Sequence, residues 1–180
     1  GQPIDVTYYL LIEFLKKHQA KVVVLDVYYL GLVDEFGQEG YIRYVLDNMK
    51  FSLNKIAAIV NCTPPDQWLY YFIPFFKYHD RWKELKKADF EYVTSSSYYT
   101  KGFGAGRTSY GKDNTYTGFT SDEASIPPKM EKYLYKFIEL SKEKGFSLVF
   151  TLVPHDYNST AHLNYWHKEP QKMFNRVAKI

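Results

Sequence analysis

The chain has 180 residues, of which 46% are hydrophobic and 24% charged. These values suit one globular domain and exclude a disordered or fibrous protein. The formal net charge of +3 is too small for the basic stripe of a nucleic-acid-binding surface. The apolar runs, such as residues 22–25 and 148–153, fall far short of the roughly 20 residues of a membrane-spanning helix. The single cysteine, Cys62, excludes an internal disulfide and a multi-cysteine metal cluster.

Helix and strand patterns alternate in the first third of the chain. Asp5 is placed to cap a helix that runs to about His18. Residues 21–28 (KVVVLDVY) form a β-branched, nearly continuous apolar run, which is typical of a strand covered on both faces. From Ile42 to Val60 the apolar residues follow a helical spacing, and Ser52 is expected to restart the helix partway.

The middle of the chain holds an aromatic segment followed by a polar, glycine-rich one. Asp66 can cap the segment from Trp68 to Tyr78, and Pro74 is expected to kink or break it. Residues 94–126 are rich in Ser, Thr, Tyr and Gly and show no period, which predicts a long loop of the kind that is usually either functional or mobile.

Regular structure is predicted again near the C-terminus. Pro127 and Pro128 open a helix that runs to about Lys144, and Gly145 is its stop signal. A second continuously apolar strand follows at residues 147–153, and a last helix is expected from about Glu169. No signal peptide is recognisable at the N-terminus, because polar residues interrupt it before any apolar run begins.

This order of elements predicts an α/β fold in which residues 21–28 and 147–153 pair as parallel strands. Two parallel strands with open edges make a poor sheet. We therefore expect residues 1–180 to be one partial domain, truncated at both ends and with strands missing there.

Ligands of open parallel sheets bind beyond the carboxyl ends of the strands. Tyr28 follows the first predicted strand, and His155 and Asp156 follow the second. A histidine beside an aspartate at this edge can do acid–base work near neutral pH, and the alternative is a solvated turn. Tyr28 is thus a candidate substrate-binding residue, and His155 and Asp156 are candidate catalytic residues.

Two further patterns point only weakly to a cofactor. His155, His162 and His167 lack the spacing of two ligands one helical turn apart, so no metal site is predicted. The glycines from Gly102 to Gly106 resemble a fragment of a dinucleotide fingerprint, but they do not follow a strand and no helix opens after them. No cofactor is therefore expected.

The densest group of polar and aromatic side chains lies at residues 76–82 and includes His79, Arg81 and Trp82. Arg81 can bind a carboxylate or phosphate, and Trp82 offers a stacking face for a ligand. The alternative is a structural network in which Arg81 pairs with Asp80 or Asp89. The ligand-binding interpretation makes His79, Arg81 and Trp82 candidate substrate-binding residues.

Several segments together resemble the SGNH/GDSL hydrolase-like proteins of Gram-positive bacteria, relatives of proteins that work beside membrane-bound O-acyltransferases. The most specific segment is YHDRWKEL at residues 78–85, with Asp89 and Phe90 after it. The other resembling segments are residues 1–11 (GQ and YYLL), 21–27 (KVVVLDV), 146–154 and 174–178 (FNRVA).

The resemblance implies a flavodoxin-like, three-layer α/β/α domain of an ester hydrolase or O-acyltransferase that acts on extracellular glycans. Its partners would be a cell-envelope polysaccharide or acylated glycan and a membrane-bound O-acyltransferase, at an extracellular or cell-envelope location. Two alternatives stay open. One is a non-catalytic polysaccharide-binding or accessory module, and the other is a flavin or nucleotide binder on the same kind of frame.

The catalytic motifs of that family have no match in this sequence. Its nucleophilic Ser and its Asp-x-x-His pair would lie before Gly1 and after Ile180. The serines at residues 95–97 and Ser109 fall in the predicted loop, and Asp156 has no His three residues on. Gly1 falls near the family's oxyanion-hole glycine and is the candidate for that role. The resemblance therefore predicts a chain that is inactive by itself.

Overall fold

A computed structural model describes residues 2–27, 35–73, 75–79, 83–84, 86–87, 98–100, 103–105, 126–151 and 175–180. The first elements are α1 (Ile4–Leu15), β1 (Val22–Asp26), α2 (Glu39–Leu46) and α3 (Leu53–Cys62). A 3₁₀ turn (Pro65–Gln67) leads into α4 (Trp68–Phe72) and α5 (Phe75–Tyr78). The remaining elements are β2 (Tyr98–Thr100), β3 (Phe103–Ala105), α6 (Pro128–Lys144), β4 (Ser147–Thr151) and a helical turn at residues 175–177.

β1 and β4 pair in parallel, with Val22 opposite Ser147 and Asp26 opposite Thr151. The backbone N–H of Val27 donates to the carbonyl of Thr151 at 2.8 Å and extends the ladder by one residue. The predicted parallel pairing and the α/β class are thus confirmed. β1 is shorter than predicted, since it ends at Asp26 rather than at residue 28. β4 is described from Ser147 to Thr151, and residues 152 and 153 of the predicted strand lie outside the described residues.

The strand pair is covered on one face and exposed on the other. Leu25 and Val27 are buried in the core, whereas Val22, Val24 and Val149 are 56%, 63% and 45% exposed. The expectation that both faces are covered is therefore wrong for the described elements. The physical reason is that the helices pack on one side of the strand pair only. Their buried residues form a single core cluster with Leu25 and Val27.

Three helices form the centre of that layer. α1 packs beside α3 and α6, and the Tyr8 ring of α1 meets the ring of Phe137 edge to face, with 5.4 Å between centroids. The apolar stripe of α6 is buried as its period predicts, and the buried residues are Met130, Tyr133, Leu134, Phe137 and Leu140. Burial of this stripe is the main apolar contribution of α6 to folding.

Most of the predicted helix boundaries are confirmed. Ser52 is the N-cap of α3, where its Oγ accepts a hydrogen bond from the N–H of Lys55 at 3.2 Å. α6 starts at Pro128 and ends before Gly145, whose φ of 72° is the left-handed conformation that glycine adopts most readily. The aromatic segment is divided into α4 and α5 on either side of residue 74, as Pro74 predicts.

Four local predictions are wrong. α1 is preceded by Pro3 at the N-cap, and it ends at Leu15 rather than near His18. Asp5 lies inside the first turn, where its Oδ1 accepts a hydrogen bond from the N–H of Val6 at 2.8 Å. Asp66 lies in the 3₁₀ turn and does not cap α4. The predicted loop at residues 94–126 contains the antiparallel pair β2–β3. The glycine-rich composition of this segment gave no sign of strands.

Candidate functional site: a lysine-lined pocket along helix α6

The amino-terminal ends of α1 and α6 lie toward the carboxyl ends of the strands that follow them. The chain reverses between α1 and β1 and again at Gly145 between α6 and β4. Contacts between Asp5 and Lys129 and between Tyr9 and Tyr133 show that the two helices run side by side in the same direction. The first turns of α1 and α6 therefore lie toward the edge where parallel α/β sheets bind ligands.

Asp5 is fully buried and forms an ion pair with Lys129. The distance between Asp5 Oδ2 and Lys129 Nζ is 2.9 Å, although Oδ2 accepts no well-directed hydrogen bond. Lys129 Nζ also donates to the backbone carbonyl of Glu35 at 2.8 Å and lies 4.1 Å from the centroid of the Phe36 ring. Lys129 thus links α6, α1 and the chain that enters α2, and its charge is balanced by Asp5.

The buried side chains of Tyr9, Cys62 and Tyr133 lie near this ion pair. The hydroxyl of Tyr133 donates to the hydroxyl of Tyr9 at 3.2 Å. Burial, followed by the hydrogen bond with Tyr9, raises the pKa of Tyr133 far above its ordinary value. Burial is also the main reason that the pKa of the Cys62 thiol is raised, and the Asp5 carboxylate adds to the effect. Cys62 therefore stays a thiol at neutral pH and is unsuited to nucleophilic catalysis.

A pocket of about 210 Å³ opens in front of these residues. Three of its lining residues, Lys129, Lys132 and Lys136, share one face of α6. The other described lining residues are Phe36, Val60, Asn61, Thr63, Pro65 and Tyr133. The pocket thus combines aromatic and aliphatic walls with three ammonium groups.

Lys136 is held against aromatic rings. Its Nζ lies 4.4 Å from the centroid of the Tyr133 ring and 5.4 Å from that of Tyr8. These distances are within the range of cation–π attraction. Burial is the main cause that lowers the pKa of Lys136, and the charge of nearby Lys132 lowers it further. The two ammonium groups therefore repel each other, and a bound anion would relieve this repulsion.

Among the residues proposed from the sequence for a site, Gly104 and His79 belong to the described part of the chain, and Gly104 lies in β3 opposite Tyr99. His79 is exposed just after α5, and its Nδ1 lies 2.7 Å from the carbonyl of Phe76. It is not among the described residues that line the lysine pocket. The other proposed residues lie outside the described residues, and their predicted roles stay predictions: Gly1, Tyr28, Arg81, Trp82, Ser95, Ser96, Ser97, Ser109, His155, Asp156, His162, His167 and the glycines Gly102 and Gly106.

The sequence contained a signal for the pocket that the motif search missed. Lys129, Lys132 and Lys136 recur at helical spacing on the predicted helix, but a run of charges on a helix is ordinarily a solvated face. Asp5 fitted an N-cap equally well, so nothing local marked it as a buried partner of Lys129. Among the described residues there is no cluster of His, Cys, Asp and Glu that would hold a metal ion.

None of the described helices combines the length and apolar character needed to cross a membrane. No protein-family model, curated protein or solved structure matches this chain significantly.

Proposed function

We propose that this chain is part of an SGNH-like domain that binds an acylated extracellular glycan at the carboxyl edge of β1 and β4. In the parent domain, a serine would attack the acyl carbonyl, a histidine would carry the proton, and backbone N–H groups would stabilise the oxyanion. The Gly-Asp-Ser type motif and the Asp-x-x-His pair of that family are not found in these 180 residues. The proposed role of this chain by itself is therefore binding, without hydrolysis.

The observation that carries the proposal is the register of the strand pair. Asp26 lies opposite Thr151, so β1 and β4 end side by side. The segments that carry Tyr28 and the pair His155–Asp156 follow directly in the sequence. The proposal has both segments leave the sheet at the edge where open α/β folds bind their ligands.

The exposed strand face supports the larger frame that the proposal requires. Val22, Val24 and Val149 form an apolar surface on the side of the sheet away from the helices. In a three-layer α/β/α domain, a second helical layer covers such a surface. We include the flavodoxin-like frame in the proposal for this reason.

A titration calorimetry experiment tests the proposed function. The ligands are O-acetylated xylo-oligosaccharides and the same oligosaccharides after mild alkaline deacetylation. The proposal predicts saturable binding of the acetylated form and about tenfold weaker binding after Trp82→Ala, because a stacking face is lost. Tyr135→Ala is the matched control, since Tyr135 is an exposed aromatic residue on α6.

Equal loss of affinity in both variants, or no saturable binding of any acetylated form, would contradict the proposal. A parallel assay with p-nitrophenyl acetate should show no more hydrolysis with this chain than with its His155→Ala variant. Turnover through a stable acyl-enzyme on a serine of residues 95–109 would show that the chain carries its own nucleophile.

The accessory-module alternative and the main proposal make the same prediction for this chain, and they differ in whether the parent protein cleaves ester bonds. Under that alternative the whole domain holds the polysaccharide and never cleaves its ester bonds. Ester hydrolysis by the full-length parent favours the enzyme, whereas glycan binding with no hydrolysis by the parent favours the accessory module.

A further inference from the structure

We infer that the pocket lined by Lys129, Lys132 and Lys136 binds a small organic phosphate in its dianionic form. This inference does not depend on the glycan-binding proposal. It rests on the charge balance, the size and the walls of the pocket.

Among the described residues, the charge balance leaves two positive charges at the pocket. The buried carboxylate of Asp5 balances Lys129. Lys132 and Lys136 have no ion-pair partner among the described residues, and no carboxylate is among the described residues that line the pocket. The nearby acid Glu131 is paired with Arg176 at 3.0 Å. Glu139, on the next turn of α6, is not among the described residues that line the pocket, and it raises the pKa of Lys136 less than burial and Lys132 lower it.

Other polar groups of the lining are already engaged within the protein. Thr63 Oγ1 donates to the carbonyl of Ile59 at 2.7 Å, and Asn61 Nδ2 donates to that of Ala57 at 2.7 Å. The hydroxyl of Tyr133 donates to Tyr9. The ammonium groups of Lys132 and Lys136 are therefore the charged donors that the described lining offers to a ligand.

Two ammonium groups without acidic partners match a phosphate better than a carboxylate. A phosphate monoester carries a charge of about −1.5 to −2 at neutral pH and offers three strong acceptor oxygens, whereas a carboxylate carries one charge. Lysine binds phosphate as a compact point charge and needs no fixed planar geometry. A dianion between Lys132 and Lys136 would also remove their mutual repulsion.

The volume and walls of the pocket limit the rest of the ligand. Its volume of about 210 Å³ lies below the roughly 300–1,000 Å³ that is typical of sites for drug-sized molecules. The Phe36 and Tyr133 rings and the Val60 and Pro65 side chains provide apolar surface for a short carbon skeleton. A phosphorylated monosaccharide or a smaller phosphate monoester fits these limits.

Titration calorimetry at low ionic strength tests the inference with four probes: inorganic phosphate, glucose 6-phosphate, glucuronate and glucose. We expect one saturable site for glucose 6-phosphate, weaker binding of inorganic phosphate and of glucuronate, and no binding of glucose. Lys132→Met and Lys136→Met should each weaken glucose 6-phosphate binding by about tenfold, because each removes a charge-assisted contact. Lys142→Met is the control, since Lys142 is exposed near the carboxyl end of the same helix.

Comparison of the variants distinguishes binding at the pocket from general attraction of an anion to a basic surface. Lys132 is exposed, so Lys132→Met should fold even if Lys136→Met does not. Equal weakening by Lys132→Met and Lys142→Met would overturn the inference, and so would glucuronate binding as tight as that of glucose 6-phosphate. Absence of saturable binding of glucose 6-phosphate to the unmodified chain would overturn it as well.

Discussion

The carboxylate of Asp5 and the ammonium group of Lys129 form an ion pair that joins the first turns of α1 and α6, with 2.9 Å between Oδ2 and Nζ. Asp5 is fully buried, whereas the Lys129 side chain is 20% exposed. The pair fixes two helices that precede the two strands of the parallel pair. Removal of Lys129 alone would leave a fully buried charge without a partner, whereas removal of Asp5 alone would leave a partly exposed one.

Lys129→Met should destabilise the chain strongly, because it leaves the Asp5 carboxylate buried without a cation. The expected loss in the free energy of unfolding is about 3–5 kcal/mol. The double variant Asp5→Asn/Lys129→Met should recover part of that loss, since it removes the stranded charge. Urea unfolding of both variants and of the control Lys142→Met measures the effect. A Lys129→Met variant as stable as Lys142→Met would show that the ion pair contributes nothing.

The hydrogen bond between Tyr133 and Tyr9 should contribute measurably to stability. Tyr133→Phe removes the buried donor and should lower the free energy of unfolding by about 0.5–1.5 kcal/mol, or more if Tyr9 is left unsatisfied. Tyr135→Phe is the matched control, because Tyr135 lies on the exposed face of the same helix and is 45% exposed. The comparison by chemical denaturation would contradict this account if the two substitutions had the same effect.

Cys62 should make the stability of the chain depend on pH in the alkaline range. Its folded pKa is raised, chiefly by burial. Well below about pH 8.5 the thiol is protonated in both the folded and unfolded states, so it has no effect on stability. As the pH rises above that value, only the unfolded thiol ionises, and stability should fall by up to about 1.4 kcal/mol per pH unit.

The slope of stability against pH between about 8.5 and 9.5 measures this effect, and Cys62→Ala should reduce it. Tyrosines, whose ordinary pKa is about 10, affect both proteins alike, so the difference between the two slopes reports on Cys62. Native Cys62 should also react with a thiol reagent far more slowly than the urea-unfolded chain does. An unchanged slope in Cys62→Ala, or rapid labelling of the native chain, would contradict the buried thiol.

Gly145 and Gly40 should respond in opposite ways to alanine. Gly145→Ala forces a side chain into a φ of 72° and should cost about 1–2 kcal/mol, although nothing lies within 4 Å of the added Cβ. Gly40→Ala adds a Cβ in open space within α2 and should stabilise the chain by roughly 0.5–1 kcal/mol. Thermal unfolding of the two variants tests the pair. A neutral Gly145→Ala would show that α6 does not end as described.

The parts of the fold that follow from local chemistry could be predicted from the sequence. Ser52 marks the start of α3 because its hydroxyl can accept from a backbone N–H of the first turn. Gly145 marks the end of α6 because glycine tolerates positive φ. The parallel pairing of β1 with β4 followed from two apolar strands that are each preceded by a helix.

Properties that depend on distant residues could not be predicted. Asp5 and Lys129 are far apart in the sequence, and no local pattern indicates that the carboxylate of Asp5 is buried against the ammonium group of Lys129. Val22 and Val24 are apolar, which predicted that they would be buried, yet both are exposed. The burial of a strand depends on which elements pack on it, and the strand's own sequence does not show this. The lysine pocket was missed for the same reason, since Lys132 and Lys136 meet Phe36 and Thr63 only in the folded chain.

Hydrogen–deuterium exchange of the 180-residue chain, with and without O-acetylated xylo-oligosaccharides, tests most directly whether the glycan binds at the carboxyl edge of β1 and β4. The proposal predicts slower exchange on binding in peptides that span the ends of the two strands, residues 26–28 and 151–156. The deacetylated oligosaccharides should leave these peptides unchanged. Slower exchange confined to other peptides, with residues 26–28 and 151–156 unaffected, would contradict the proposed site.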